Sequence, residues 1–286
     1  IYSFITVLYA QQPVGYKLYG FIRNDFFYNT RVNTESVDGL YYLYPQPVLN
    51  DNEGNDINAQ PNSEMLSVAS RVGLDIFGDS IFKAKVTAKV KADFAGTTPN
   101  FFLFRIRQAY TQLNWEKTEL LIGQTWHPLF GSVSPTVLDL NTGAPFQPFN
   151  RSPQAKLSYN LGTLKLSLSA LYQLQYVTFG PIGRSNTYLK NANVPNLFFG
   201  IENNTSSWKY GAGIDCKKIT PRTTSLVGTD TYKVDESLSS VSGTVYLQYL
   251  KKMFTIKGKA TYGQNLSDLT MLSGYGVSSI GDKGKR

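Results

Sequence analysis

Eleven segments of this sequence alternate apolar and polar residues with a period of two. In the clearest, residues 82–94, aromatic or small apolar residues hold the even positions and lysines hold four odd ones: Lys83, Lys85, Lys89 and Lys91. Strand side chains alternate between two faces, whereas a helix would scatter the lysines. The segment therefore predicts a strand with one apolar and one cationic face. On its own it fits the wet sheet of a soluble protein equally well.

The other ten segments extend the pattern over most of the 286 residues. They are residues 16–28, 65–77, 102–115, 118–126, 153–161, 163–176, 197–203, 207–218, 240–250 and 253–263. No long stretch follows a period of 3.6 residues, so the chain is predicted to be all-β, with about eleven strands.

The connections between these segments alternate in length. Short turns are predicted at residues 78–80, 116–118, 161–163, 203–207 and 250–253, and longer polar stretches at 30–64, 95–101, 126–152, 177–195 and 218–239. Outer-membrane barrels join their strands in this way, with short periplasmic turns and longer extracellular loops, and a soluble sandwich has no reason to do so. The alternation predicts a transmembrane antiparallel β-barrel in a bacterial outer membrane.

The composition agrees with a barrel and excludes other classes. The mean hydropathy is −0.22 and no apolar run could span a membrane as a helix, but barrels alternate lipid-facing and polar residues and so have a polar average. The 19 tyrosines and 17 phenylalanines suit aromatic girdles. With one cysteine, Cys216, there is neither an intramolecular disulfide nor a thiolate cluster, and we predict no metal and no cofactor. Basic residues are spread along the strand faces, so no nucleic-acid partner is predicted.

The two ends of the sequence suggest a partial barrel. Residues 1–12 resemble the remnant of a signal peptide, with the mature chain beginning near Gln11; the alternative is a short N-terminal strand. Residues 13–286 are then barrel. Because about eleven strands would leave an open edge and residues 278–286 are polar, we expect further C-terminal strands and a complete barrel of 16–18.

The predicted inner face is rich in cations. It would carry Arg23, Arg71, Lys83, Lys85, Lys89, Lys91, Lys156, Lys165, Lys257 and Lys259 against few acids, among them Asp25, Asp75, Asp93 and Asp215. A water-filled pore with this lining attracts anions. Alternatively, the charges only keep the wall wet and the lysines near strand ends extend to the interface.

Arg105 and Arg107 are the predicted selectivity residues. They lie two positions apart on one face, and paired guanidinium groups suit carboxylate or phosphate. Downstream, Ala109, Leu113 and Trp115 share the arginines' parity, which predicts either a β-bulge or an aromatic girdle position.

The loop at about residues 126–152 is proline-rich and apolar for an exposed segment. We predict that it folds into the barrel and constricts it. A subunit contact or a surface latch is the alternative.

Residues 104–160 resemble the DcaP-like porins of Gram-negative outer membranes. The matching elements are Arg107, Ala109 and Tyr110; Gly123, Gln124, Thr125 and Trp126; and Arg151, Pro153 and Gln154. The resemblance implies a homotrimeric barrel, in contact with outer-membrane lipid and lipopolysaccharide, that passes dicarboxylates and other small anions through a constriction lined by arginines. It assigns that role to Arg105, Arg107 and Arg151, and also to Arg23 and Arg71. Unlike members with a periplasmic coiled coil, this sequence has no helical stretch before its first strand.

Two other functions compete with an anion-preferring diffusion channel. The chain is not predicted to be an enzyme, because its one histidine, His127, has Ser132 and Ser134 nearby but no placed carboxylate. A non-conducting adhesin or glycan receptor, which would bind through tyrosines of residues 39–62, is the alternative function.

Overall fold

A computed structural model describes residues 15–36, 41–67, 69–94, 103–137, 143–281 and 284. The predicted signal-peptide remnant, residues 1–12, lies outside this part of the chain, as do residues 138–142 of the predicted constriction loop.

One antiparallel sheet of eleven strands dominates the described residues. Its strands are β1 (Gly15–Phe21), β2 (Arg71–Ile81), β3 (Ala84–Phe94), β4 (Phe104–Asn114), β5 (Thr118–Trp126), β6 (Arg151–Leu161), β7 (Leu164–Leu171), β8 (Asn196–Asn204), β9 (Trp208–Ile219), β10 (Leu238–Lys251) and β11 (Phe254–Gly263). Each strand pairs with the next one in the sequence, so the sheet is a continuous meander with β1 and β11 at its edges.

The predicted alternation of short and long connections is confirmed. Residues 82–83, 115–117, 162–163, 205–207 and 252–253 form the short turns, and every other connection is longer. The turn predicted at residues 78–80 was wrong, because β2 continues to Ile81. Phe82 and Lys83 make the turn with φ angles of 51° and 62°, as a tight hairpin requires. Lys83 therefore lies in a turn and not on the strand face predicted for it.

The long connections carry structure of their own. The first holds two hairpins, Asp25–Asn29 with Asn62–Leu66 and Asn33–Ser36 with Tyr41–Pro45, so the single strand predicted at residues 16–28 is interrupted. Two further hairpins, Phe179–Gly180 with Gly183–Arg184 and Thr224–Val227 with Asp230–Lys233, and a helix, α1 (Thr187–Ala192), occupy later connections. The sequence did not predict this helix, because six residues are too few to show a 3.6-residue period.

The two faces of the sheet differ in polarity. Leu168, Phe199, Ile214, Val245 and Ile256 alternate with polar residues and are at least half exposed. An apolar face left open to this extent suits contact with lipid. In the described part of the chain, no helix is long and apolar enough to cross a membrane.

The polar face carries the loop between β5 and β6. Its first turn is a 3-10 helix, Pro128–Phe130, from which Leu129 enters a buried cluster with Leu171 and Phe198. Leu266 and Leu269, from the segment that follows β11, complete this cluster. The loop is therefore packed against the sheet by a small hydrophobic core on the polar side, although its Phe146 is largely exposed. We call residues 127–150 the inner loop.

Candidate functional site

The polar face of β1–β4 carries more cations than carboxylates, and we call it the arginine wall. It consists of Lys17, Arg71, Lys85, Lys89, Lys91, Arg105 and Arg107 with Asp75 and Asp93. The strand register places these residues in cross-strand rows, so that charges far apart in the sequence become neighbours.

Asp93 is the centre of the arginine wall. Arg105 donates to both of its carboxylate oxygens, from Nε at 2.9 Å and from Nη2 at 3.1 Å, and Arg107 Nη1 also donates to Oδ2. Arg71 is the cross-strand partner of Asp93 on the opposite side, with its guanidinium 5.3 Å from the ring centre of Phe21. Two guanidinium groups thus bind one carboxylate and a third belongs to its cross-strand neighbour, so the cluster keeps a positive charge.

A β-bulge brings both arginines of β4 to Asp93. Lys91 pairs with Gln108 while Ala92 pairs with Ile106, so Arg107 is an extra residue on β4. The bulge expected from the blurred parity is present. Beyond it, the side chains that reach the polar face are Gln108, Tyr110, Gln112 and Asn114.

The lysines of β3 surround Tyr19 and Asp75. Lys89 Nζ lies 3.4 Å from Asp75 Oδ1, and the Tyr19 hydroxyl donates to the same oxygen at 3.0 Å. Lys89 and Lys91 both place their ammonium groups within 6 Å of the Tyr19 ring centre, at 5.9 and 5.7 Å. Lys85 is exposed near the turn.

Arg23 and Arg151, which were also predicted to line the pore, lie outside the arginine wall. Arg23 follows β1, outside the strand, and its guanidinium binds Asp25 at 2.7 Å. Arg151 is the first residue of β6 and is 0% exposed. Its guanidinium stacks between Trp126 and Phe149, with distances of 4.4 and 5.2 Å to the ring centres. The predicted contact of Arg151 with passing solutes is therefore corrected: the side chain is a buried brace between β6 and the inner loop.

Lys156 and Lys165 lie on the polar face of β6 and β7, as predicted. Lys165 pairs with Glu119 at 2.7 Å, and its cross-strand partner on β8 is Glu202. Neither acid was among the residues predicted for the inner face. The position of each acid in the apolar–polar alternation of residues 118–126 and 197–203 could have revealed it.

The polar face of β8–β11 holds the inner loop, and we call it the covered wall. Its residues are Glu202, Asp215, Lys217, Tyr246, Lys257 and Lys259. Lys259 donates to the Phe130 carbonyl at 2.5 Å and to Gln147 Oε1 at 2.9 Å, and Lys257 donates to the Ser134 carbonyl at 3.3 Å. Ser132 Oγ donates to Glu202. These lysines, expected to face the pore, are instead hydrogen-bonded to the loop.

A buried ion pair links the covered wall to the segment after β11. Lys217 Nζ lies 2.5 Å from Asp268 Oδ1, with both side chains under 5% exposed. Gln173 Nε2 donates to the other oxygen of Asp268 at 3.0 Å, and Asn150 Nδ2 donates to its carbonyl at 2.7 Å. One aspartate thereby joins β9, the inner loop and the connection after β7.

His127 begins the inner loop and is 2% exposed. Its Nδ1 accepts the Leu129 N–H at 3.3 Å, and its Nε2 lies 3.8 Å from Asp215 Oδ1. Burial away from water lowers the pKa of His127 to about 4, so the ring is neutral at physiological pH. The two serines considered for catalysis engage Glu202 and the Pro135 carbonyl, not this imidazole.

The fold is similar to that of known outer-membrane proteins. No protein-family model matches the sequence, and a search of curated proteins finds no match. Among solved structures, the outer membrane channel DcaP of Acinetobacter baumannii superposes with a TM-score of 0.63 at 22% identity, over 87% of this chain and 64% of that one. A loop L8 deletion mutant of OmpT, an outer membrane protein of Vibrio cholerae, has a TM-score of 0.50 at 10% identity, over 87% of this chain and 69% of that one.

The fold is that of an outer-membrane β-barrel protein. The resemblance predicted from residues 104–160 is thereby confirmed as a likeness of fold over most of the chain. The match covers less than two thirds of the DcaP chain. The arginine wall and the inner loop both belong to the polar face of the sheet.

Proposed function

We propose that the chain is part of an outer-membrane porin, a water-filled channel that prefers anions and passes small hydrophilic solutes such as dicarboxylates. The observation that carries the proposal is the cluster around Asp93, where Arg105 and Arg107 share one carboxylate and Arg71 is its cross-strand neighbour. Fixed positive charge on a polar wall raises the local concentration of anions. Planar guanidinium groups in a row can bind the two ends of a dicarboxylate.

The inner loop supports a restricted channel. It lies on the polar face, where Lys257, Lys259 and Glu202 hold it. A loop fixed there takes space from the water-filled path and directs solutes along the arginine wall. The apolar face would contact lipid and lipopolysaccharide. Trp208, Tyr249 and Phe254, which cluster beside the short turns with ring centres 4.4 and 5.9 Å apart, suit an interfacial girdle.

The experiment is conductance of the full-length protein in planar bilayers. We expect open channels and a reversal potential, under a salt gradient, that favours anions. The double variant Arg105→Gln/Arg107→Gln should weaken that preference. Lys190→Gln is the matched control, because Lys190 is an exposed cation on α1, outside the sheet.

A preparation that forms no ion-permeable channel would leave only the receptor or adhesin function. A reversal potential that favours cations would keep the porin and remove the anion preference. Light scattering of the detergent-extracted protein tests the homotrimer, whose mass should be three times that of one chain.

A further inference from the structure

A recess of about 220 Å³ separates the start of the inner loop from the polar face of β6–β8. Its floor consists of small residues that are cross-strand neighbours, Ser158, Ser167 and Gly200. A Cβ at Gly200 would approach the Phe198 ring to 2.6 Å, so no side chain fits there without movement. The floor of the recess is therefore formed by these small residues and by the Phe198 ring beside them.

Two polar groups in the recess lack protein partners. The Ser158 side chain is 1% exposed, and its hydroxyl makes no hydrogen bond. The Lys156 ammonium likewise has no hydrogen bond or ion pair among the described residues, whereas its neighbour Lys165 pairs with Glu119. A buried hydroxyl without a partner is costly, which favours a ligand that supplies an acceptor.

A carboxylate with a free oxygen also lines the recess. Glu202 accepts its hydrogen bonds from Ser132 and from Tyr246, the latter at 2.8 Å, through the same oxygen, Oε2. Its other oxygen, Oε1, has no protein donor among the described residues. The recess therefore presents one unpaired ammonium and one carboxylate oxygen that can still accept.

We propose that this recess binds small zwitterions of the α-amino acid class. The ligand carboxylate binds Lys156 and the Ser158 hydroxyl, and the ligand ammonium binds Glu202. A simple anion would gain Lys156 but meet the charge of Glu202, and a simple cation would meet the reverse, so only a ligand with both charges satisfies both groups. A recess of this volume has room for a small amino acid such as glycine or alanine.

The test is equilibrium binding of glycine, acetate and methylammonium to the full-length protein in detergent. Ligand-observed NMR measures the binding. We expect acetate and methylammonium to bind at least tenfold more weakly than glycine. Lys156→Met and Glu202→Gln should each weaken glycine binding at least tenfold. Lys190→Met removes the same charge from the exposed surface of α1, outside the sheet, and should leave glycine binding unchanged.

Glu202 also holds the inner loop through Ser132, so a second variant separates these roles. Ser132→Ala removes the same loop contact but keeps the carboxylate, and glycine affinity should stay within threefold of the original. Equal losses in Ser132→Ala and Glu202→Gln would overturn the role of the carboxylate. Unchanged binding in Lys156→Met would overturn the site, and acetate binding as tightly as glycine would overturn the preference for zwitterions. Because binding is read without current, the outcome is independent of the proposed conduction.

Discussion

The arginine wall and the covered wall are built from similar strands but use their cations differently. On the arginine wall, cations share carboxylates with other cations, as Arg105 and Arg107 share Asp93. On the covered wall, Lys259 is hydrogen-bonded to a loop carbonyl and Lys217 is buried against Asp268. The lysines and arginines of a strand face therefore do not by themselves set the potential of a channel. The loops that pack on the face decide which charges can meet a solute.

The largest difference between the walls should appear when one partner of an ion pair is removed. Asp268→Asn leaves the Lys217 ammonium buried without a counter-charge, and we expect the free energy of unfolding to fall by about 3–5 kcal/mol. Urea unfolding of the full-length protein in micelles measures it. The matched variant Lys89→Met breaks a pair whose side chains are 31% and 25% exposed, and should cost less than about 1 kcal/mol. Equal losses would contradict the contrast.

The pH dependence of stability should separate the covered wall from the rest of the chain. The pKa of His127 is about 4 in the folded protein and near 6.5 when unfolded. Between these values the unfolded chain binds more protons, so stability should fall as pH decreases from about 6.5 to about 4, by up to about 3 kcal/mol. Three other ionisable side chains, Asp215, Asp268 and Lys217, lie near the ring.

For this reason the measured quantity is the difference in pH slope between the original protein and His127→Asn. Asparagine can still accept the Leu129 N–H at the start of the 3-10 helix but does not titrate. Identical slopes in the two proteins would show that His127 contributes nothing to the pH dependence.

Release of the inner loop should be a smaller effect. Lys259→Met leaves the Phe130 carbonyl and Gln147 without their donor, at a cost of about 1–3 kcal/mol. Faster cleavage of the inner loop by a protease added to the micelles would report the release. Lys257→Met removes longer contacts, 3.3 and 3.5 Å, from a more exposed side chain, and cleavage should change little. Faster cleavage in Lys257→Met than in Lys259→Met would mean that Lys257, and not Lys259, is the main contact that holds the inner loop.

The smallest effect concerns selectivity. Asp93→Asn adds one net positive charge to the arginine wall and should raise the anion-to-cation permeability ratio about fivefold, which corresponds to about 1 kcal/mol at short range in water. Reversal potentials of open channels give the ratio. Asp215→Asn is the control, since Asp215 lies on the covered wall against His127 of the inner loop and its loss should leave the ratio unchanged. A shift of the same size in both variants would mean that charges on the two walls affect permeating ions equally.

Sequence patterns predicted the strands well because the period of two is a local property. They misplaced the first turn because Gly78, Asp79 and Ser80 have the composition of a turn, whereas Phe82 and Lys83, which form it, do not. A local sequence pattern could not predict the role of Arg151. Its two aromatic neighbours are Trp126, from the end of a strand, and Phe149, from the inner loop.

The same limit applies to the covered wall. Lys217, Asp268 and Gln173 are brought together from three separate segments, and nothing in their own neighbourhoods signals the contact. The arginine wall was easier to predict from the sequence. Arg105, Arg107 and Asp93 lie on two consecutive strands, and the alternation of residues along those strands shows which face each side chain is on.

The extra residue on β4 reverses which residue numbers, odd or even, lie on the polar face. Upstream of it, odd-numbered side chains face water; downstream, even-numbered ones do. A regular strand of the same sequence would place Gln108, Tyr110 and Gln112 in lipid and Leu113 in the channel, so the bulge keeps the later polar side chains on the polar face. Deletion of Arg107 would remove the bulge and one charge together and leave the later side chains on their present faces, because Gln108 would then directly follow Ile106.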